Sequence, residues 1–394
     1  MKIARVDARW LRCPIPEERQ HVSDFGRLTA FDATLVEIET DTGLVGYGEA
    51  KAAVGSSGGC GQLVACIEQD LRPLLLGEDP RRITRLWETM YSGSRAGYAL
   101  TRGRPFPRLG RRGLTIAAIG GVDTALWDLT GQSLGTPVVQ LLGGAVRDRM
   151  PAYASGGWAD AAGIGVQLGG YAKAGFDAVK MRVGVMDGTV ANSVKRVQAA
   201  RDALGPDVAL MCDAHGTYTP AEAKQFCRGV EGCGLRWFEE PCNADDVAGT
   251  AEVRAATSIP IALGESESTR FDIRDAITHR AADVIQPDVA IIGGITETRR
   301  IAALCETHQL ELAPHLWGSA FSFVAGLSVA FASPAACILE YSLGGNPMLH
   351  ELVEETICPT DGGFAAPTRP GLGLTPVAAF VEEYTVRPGE RSCP

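Results

Sequence analysis

ValAlaLeuMetCysAsp (208–213), LeuArgTrpPheGlu (235–239) and IleProIleAlaLeuGlyGlu (259–265) are three short apolar runs, each closed by a carboxylate. Asp213, Glu239 and Glu265 are spaced at 26 and 26 residues. The beat continues to Asp288 (ValIleGlnProAsp), His315 (GluLeuAlaProHis) and Glu340 (CysIleLeuGlu), at steps of 23, 27 and 25. A period of this length, with a chemically active residue ending each strand, is what a (β/α) barrel produces. In that fold the strand C-termini meet at one mouth, and active sites sit there. Three carboxylates from successive strands then converge. A hard divalent cation such as Mg²⁺ takes oxygen ligands of this kind.

The rest of the chain fits around that beat. Its 394 residues suit a barrel of about 250 residues plus a smaller domain. An apolar content of 45% supports a large core. The net charge of −10 disfavours nucleic acid as a partner. No apolar run is long enough for a transmembrane helix, so no membrane partner is expected. MetLysIleAlaArgValAspAla at the start lacks the apolar core of a signal peptide, and a cytoplasmic location is expected. The 11 cysteines are scattered, with no CxxC, and read as reduced thiols.

Residues 1–50 read as β-strands. ThrAlaPheAspAlaThrLeuValGluIleGluThr (29–40) alternates, and AspThrGly followed by ValGlyTyrGlyGlu suggests a hairpin. Residues 51–62 are Gly/Ser-rich and read as a loop. Residues 63–130 read as mostly helical, with Ile116, Ile119, Val122, Leu126 and Leu129 forming one apolar face. The basic stretch holding Arg102, Arg104, Arg108, Arg111 and Arg112 reads as a solvated loop. From Pro151, strand starts are expected near Ala152, Ala178, Ala209, Arg236, Pro260, Val284, Glu311 and Cys337, with amphipathic segments between. The expected domains are residues 1–130, a capping domain, and 131–356, the barrel. Residues 357–394, rich in Pro and Gly, would pack back on the cap.

In ValLysMetArgVal (179–183), Lys180 and Arg182 are two apart and face one side, toward the barrel interior. Two inward cations would be costly in an empty core. Beside three carboxylates, a metal and an anionic substrate they become sensible. AspAlaHis (213–215) puts His215 on the same side as Asp213. Asp288 and His315, from neighbouring strand ends, are close enough for a dyad in which the carboxylate orients the ring and raises its basicity. Glu340 is a further donor or acceptor near the substrate.

The order Lys-x-Arg, Asp, GluGluPro, GlyGlu, Asp and His resembles the mandelate racemase subgroup of the enolase superfamily. GlyTyrGlyGluAla (46–50), AlaLeuTrpAspLeuThrGly (125–131), LeuLeuGlyGly (141–144), TrpPheGluGluPro (237–241), GlnProAsp (286–288), ProHisLeuTrpGly (314–318) and ProGlyLeuGly (370–373) extend the likeness over nearly the whole chain. The resemblance implies an α/β fold: a modified (β/α)7β TIM-type barrel with an α+β capping domain formed by the N- and C-terminal segments. It implies one Mg²⁺ per subunit, with Mn²⁺ a possible substitute, held by Asp213, Glu239 and Glu265. Glu240 is adjacent, but alternation lets only one of the two face the metal, and the motif favours Glu239. The chemistry that the resemblance implies is removal of the proton α to a carboxylate.

Two departures narrow the reading. Many subgroup members carry Lys-x-Lys, whose second Lys is a base, whereas this chain has Arg182. Arginine stays protonated and makes a poor base. A two-base racemase is therefore disfavoured, and Arg182 is expected to bind the substrate carboxylate. His215 stands where many relatives have Asn, and resembles the pattern of galactonate and mannonate dehydratases. The expected activity is an acid-sugar dehydratase, a hydro-lyase: His315 takes the α-proton and His215 protonates the departing 3-hydroxyl. The chain also resembles galactarolactone cycloisomerases, and an isomerase is the alternative. A metal-binding homologue without catalysis is a third reading, opposed by the presence of both histidines and Asp288. The expected partner is a small carboxylate substrate, a sugar acid or lactone. The polar 12–30 stretch and the 51–62 loop offer His21, Ser56, Ser57 and Gln62, and His21 and Trp317 are further substrate-binding candidates. The resemblance also implies a homo-oligomer, from dimer to octamer.

Overall fold

The computed structural model describes residues 1–20, 22–23, 26–52, 59–103 and 112–387. Strands β1 (Ile3–Pro14), β2 (Ala30–Thr40) and β3 (Val45–Ala50) form an antiparallel sheet in the order β1-β2-β3. The β2–β3 turn falls on AspThrGly, where Gly43 has φ 82° and its N–H donates to Thr40 O. That left-handed backbone suits glycine.

The helix Leu114–Leu134 lies across this sheet. Gly46 and Gly48 of β3 touch it so closely that an added Cβ would fall 2.4 Å from Ala125 O and 2.2 Å from Gly121 O. The GlyTyrGly spacing therefore sets how near strand and helix approach. The helix is not the one-faced amphipath its i, i+3, i+4 pattern suggests. Every residue from Ile116 to Gly131 is buried. Its buried carboxylates are accounted for: Asp123 accepts from Thr296 N and Oγ1, and Asp128 from Tyr47 N and Leu372 N.

Eight parallel strands follow: β4 (Arg149–Gly156), β5 (Ala178–Arg182), β6 (Ala209–Asp213), β7 (Leu235–Glu239), β8 (Ile261–Leu263), β9 (Val284–Ile285), β10 (Glu311–Leu312) and β11 (Leu339–Ser342). They pair in sequence from β4 to β10, and β11 pairs back with β4. The ring is joined where Leu312 N donates to Ala335 O at 2.9 Å and Cys337 N to Leu312 O at 3.2 Å. This is the expected barrel, with strand starts close to the positions read from the sequence. Helices separate the strands, among them Val190–Leu204, Pro220–Val230 and Gly294–His308. Thr219 and Thr269 open two of them with capping boxes.

Inside the barrel, Tyr153, Ala178, Met211, Trp237, Ala262, Val284, Ala313 and Ile338 form one buried layer. Ala178 faces inward in it, so Lys180 and Arg182, at even steps along β5, face inward too. The register sets Arg182 opposite Asp213, Asp213 opposite Glu239, and Glu239 opposite Ala262. Three strand ends are thereby levelled at the mouth. The last segment touches both sheets: Gly363–Ala365 pairs antiparallel with β4, and Val386 N donates to Trp10 O at 2.8 Å.

Two sequence expectations need correction. The stretch 51–62 is not all loop, because a helix begins at Cys60 and Gln62 lies exposed on it. A Gly/Ser-rich composition hid that start, since Cys60 and Leu63 are its only early apolar anchors. Glu265 lies two residues past β8 and Glu340 is the second residue of β11, and Asp288 and His315 do not close their strands either. Strands β9 and β10 stop at Ile285 and Leu312, and each of these side chains stands three residues beyond. Pro287 and Pro314 lie between, and a proline lacks the N–H that a ladder needs.

Candidate active site

All nine residues singled out around the barrel mouth form one connected cluster. Asp213, Glu239 and Glu265 each offer a carboxylate oxygen, and these atoms lie within 4.8 Å of one another. All three residues are buried. Lys180, wholly buried, contacts Glu239, lies 3.4 Å from Asp213, and lies 3.1 Å from Glu340. Arg182 Nη1 contacts Asp213 Oδ2. His215 Nε2 is 3.4 Å from the same oxygen. On the other side, His315 Nε2 is 3.6 Å from Glu265 and 3.9 Å from Glu340. His315 Nδ1 meets Asp288 Oδ2 at 2.7 Å.

The donor set fits a divalent ion. Neither oxygen of Glu265 has a hydrogen-bond partner among the described residues, although both are buried. A buried carboxylate left so is costly unless a cation balances it. Three hard anionic oxygens so close together suit such a cation. Glu239 is held from below. Trp237 Nε1 donates to its Oε2 at 3.0 Å, and Gln286 Nε2 donates to the same atom at 2.8 Å. Glu240 turns away, its backbone in the left-handed region at φ 39°. Burial, and then the nearby Glu267, pushes its carboxyl up to about 8. Of this pair, Glu239 is the one whose carboxylate lies in the cluster with Asp213 and Glu265.

The charges are mutually set. Burial alone would neutralise Lys180, but Glu239 and Glu340 override it and raise its pKa. Burial opposes ionisation of Glu340, yet Lys180, His315 and Arg182 hold its carboxyl well below the usual range. Burial pushes Glu265 up to about 8, with His315 pulling the other way. Burial disfavours a charged His315, but Glu265, Glu340 and Asp288 outweigh it and raise the ring's pKa. A dication on Glu265 would spend much of that carboxylate's share of the effect.

His215 follows β6 with φ 44°, and its N–H donates to Asp213 Oδ1 at 2.9 Å. That backbone hydrogen bond helps hold a conformation that non-glycine residues adopt sparingly. Trp317 is buried between cap and barrel, its ring 5.6 Å from Phe31 and 6.5 Å from Trp158. Beside Trp158 opens a rim pocket of about 430 Å³, also lined by Arg19, Gln167, Asn346 and His350. His21, Ser56 and Ser57 lie outside the described residues. So do Arg104, Arg108 and Arg111. Arg112 is described, and pairs with Asp272 at 2.5 Å.

Sequence reasoning missed four supporting residues: Trp237, Gln286, Glu49 and Lys51. Trp237 and Gln286 lie two residues before Glu239 and Asp288, so the same-face rule could have found them. Glu49 and Lys51 repeat the two-apart pattern of Lys180 and Arg182, at the end of a cap strand.

An eight-stranded barrel whose mouth gathers three carboxylates, two imidazoles and two inward cations defines a class of enzyme that works on small acids. Comparison with known families specifies it: residues 11–143 match the mandelate racemase / muconate lactonizing enzyme N-terminal domain, and residues 165–379 match the enolase C-terminal domain-like family. The chain belongs to the mandelate racemase / muconate lactonizing enzyme family of the enolase superfamily. It is 35% identical over 353 residues to an arabinonate dehydratase of Saccharolobus solfataricus, covering 88% of this chain and 89% of that one. It is 32% identical over 356 residues to a D-galactarolactone cycloisomerase of Agrobacterium fabrum, covering 86% and 88%. A crystal structure of a racemase from Streptomyces coelicolor A3(2) with bound magnesium superposes with a TM-score of 0.85 at 30% identity, covering 98% of this chain and 100% of that one. Among the described residues, no helix is long and apolar enough to cross a membrane.

Proposed function

We propose that the protein is an Mg²⁺-dependent acid-sugar dehydratase that converts a polyhydroxy acid to its 2-keto-3-deoxy acid. One observation carries the reading. Two imidazoles border the carboxylate cluster from strands half a barrel apart: His215 beside Asp213 at 3.4 Å, and His315 beside Glu265 at 3.6 Å. Loss of water from a carbon acid needs a base at C2 and an acid at C3. The likeness to an arabinonate dehydratase supports it.

Asp213, Glu239 and Glu265 would hold the ion. Bound there, Mg²⁺ supplies positive charge against the substrate carboxylate as the C2 proton leaves. His315 takes that proton at Nε2. Asp288, bonded to Nδ1, fixes the tautomer that leaves Nε2 free to accept. Arg182, permanently protonated, binds the substrate carboxylate. Lys180 adds a second cation, held in place by Glu340. His215 gives a proton to the 3-hydroxyl, which departs as water, and the enol tautomerises to the ketone. Trp317 and the rim pocket beside Trp158 would take the distal hydroxyl groups.

A second reading has a specific support, the likeness to a D-galactarolactone cycloisomerase. It begins with the same proton removal and expels a ring oxygen. A panel of mono- and diacid sugars and their lactones, incubated with Mg²⁺, separates the two. Dehydration gives a product lighter by one water, whereas cycloisomerisation gives an isobaric one. His215→Asn is expected to slow elimination by about 10²-fold or more while C2 proton exchange stays close to wild type. Equal loss of both activities would remove His215 from the leaving-group role.

A further inference from the structure

Strand β3 of the cap ends on Glu49 and Ala50, and Lys51 follows. Glu49 and Lys51 are two apart, and both reach into the barrel loop after β10. Glu49 is 2% exposed. Its carboxylate accepts from Ser319 N at 2.8 Å and from Ser322 Oγ. Ser319 is the N-cap of the helix Ala320–Ala332, so Glu49 supplies acceptors and negative charge where that helix starts. Lys51 is 6% exposed. Its Nζ donates to Asp288 Oδ2 at 2.8 Å and to Trp317 O, and its backbone N–H donates to Ala290 O at 3.1 Å. Asp288 Oδ2 is thus shared by Lys51 and His315, while Oδ1 accepts from Ala290 N at 2.8 Å.

We infer that Lys51 is a positioning residue for the reaction, contributed by the cap to a Lys51–Asp288–His315 chain. This rests on the reading of His315 as the base. Without Lys51, Asp288 would keep Ala290 N on Oδ1 and the imidazole on Oδ2, and its Oδ2 could still swing about the Oδ1 contact with the ring following. A second donor on Oδ2, the Lys51 ammonium, restrains that swing. The same ammonium grips Trp317 O, so residues 315–317 are tied to Asp288 at both ends. A displacement of about 1 Å in a reacting group can cost about 10²-fold in rate. Docking of the cap is therefore part of what aims the imidazole.

The test is Lys51→Met, which keeps an unbranched side chain one atom shorter and removes the donor. A crystal structure of the variant with Mg²⁺ is expected to show the His315–Asp288 contact opened beyond hydrogen-bonding range, with the three carboxylates in place. An unchanged contact would overturn the inference. In kinetics, kcat is expected to fall by about 10²-fold, with KM and the Mg²⁺ titration midpoint within about threefold. Full kcat, or a loss shared equally by KM and Mg²⁺ binding, would count against it. Should Lys51→Met fold poorly, Lys51→Ala supplied with propylammonium decides: recovered kcat supports positioning, and none contradicts it. His315→Asn is run alongside. Normal turnover there would defeat the base assignment and leave the crystal structure to decide the Lys51 contact alone.

Discussion

His315→Asn should abolish turnover, by at least about 10³-fold, and leave Mg²⁺ binding intact. The imidazole is 97% buried (3% exposed), bonded through Nδ1 to Asp288, with Nε2 turned toward Glu265 and Glu340. Asparagine keeps a donor of similar reach toward Asp288 but offers no basic nitrogen at the Nε2 position. The fold should survive, because the variant can still hydrogen-bond inward. The checks are single-turnover assays on the best acid from the panel and calorimetric titration of Mg²⁺ into the variant. Retained turnover would move the base elsewhere, with Lys180 the next candidate by position.

Glu239→Gln should be equally severe, by a different route. Loss of an outer-shell partner costs about 10–100-fold in metal affinity, and loss of a charged ligand should cost more than about 100-fold. Glu239 is also the carboxylate that Lys180, Trp237 and Gln286 all touch, so its removal leaves Lys180 with Glu340 and Asp213. Titration with Mg²⁺ is expected to show the weakened site, and activity should be absent at any practical Mg²⁺ level. Chelation of the wild type should mimic the variant, and added Mg²⁺ or Mn²⁺ should reverse it. Undiminished activity after exhaustive chelation would separate the carboxylates from metal binding.

Much of this site was legible because its information is local. Asp213 and Glu239 each end an apolar run in which period-two alternation fixes the side they face, and the barrel brings the ends level. Lys180 and Arg182 were legible for the same reason. What was not legible is carried by contacts far apart in the chain. Lys51 meets Asp288 across 237 positions, and no periodicity joins a cap strand to a barrel loop. The left-handed backbone at His215 and Glu240 was also hidden, since neither is a residue type that demands it. The Leu114–Leu134 helix misled in a subtler way. Its apolar stripe is real, but small residues such as Gly120 and Gly121 let neighbours press on every side, so the whole helix is core.

Turnover of the favoured acid sugar in D₂O with Mg²⁺, read by mass spectrometry and proton NMR, tests the account most directly. The expected product is lighter than the substrate by one water and carries one solvent deuteron at C3, placed there when the enol becomes the ketone. An isobaric product, or a substrate that loses water with its C2 proton untouched, would contradict dehydration through C2 ionisation.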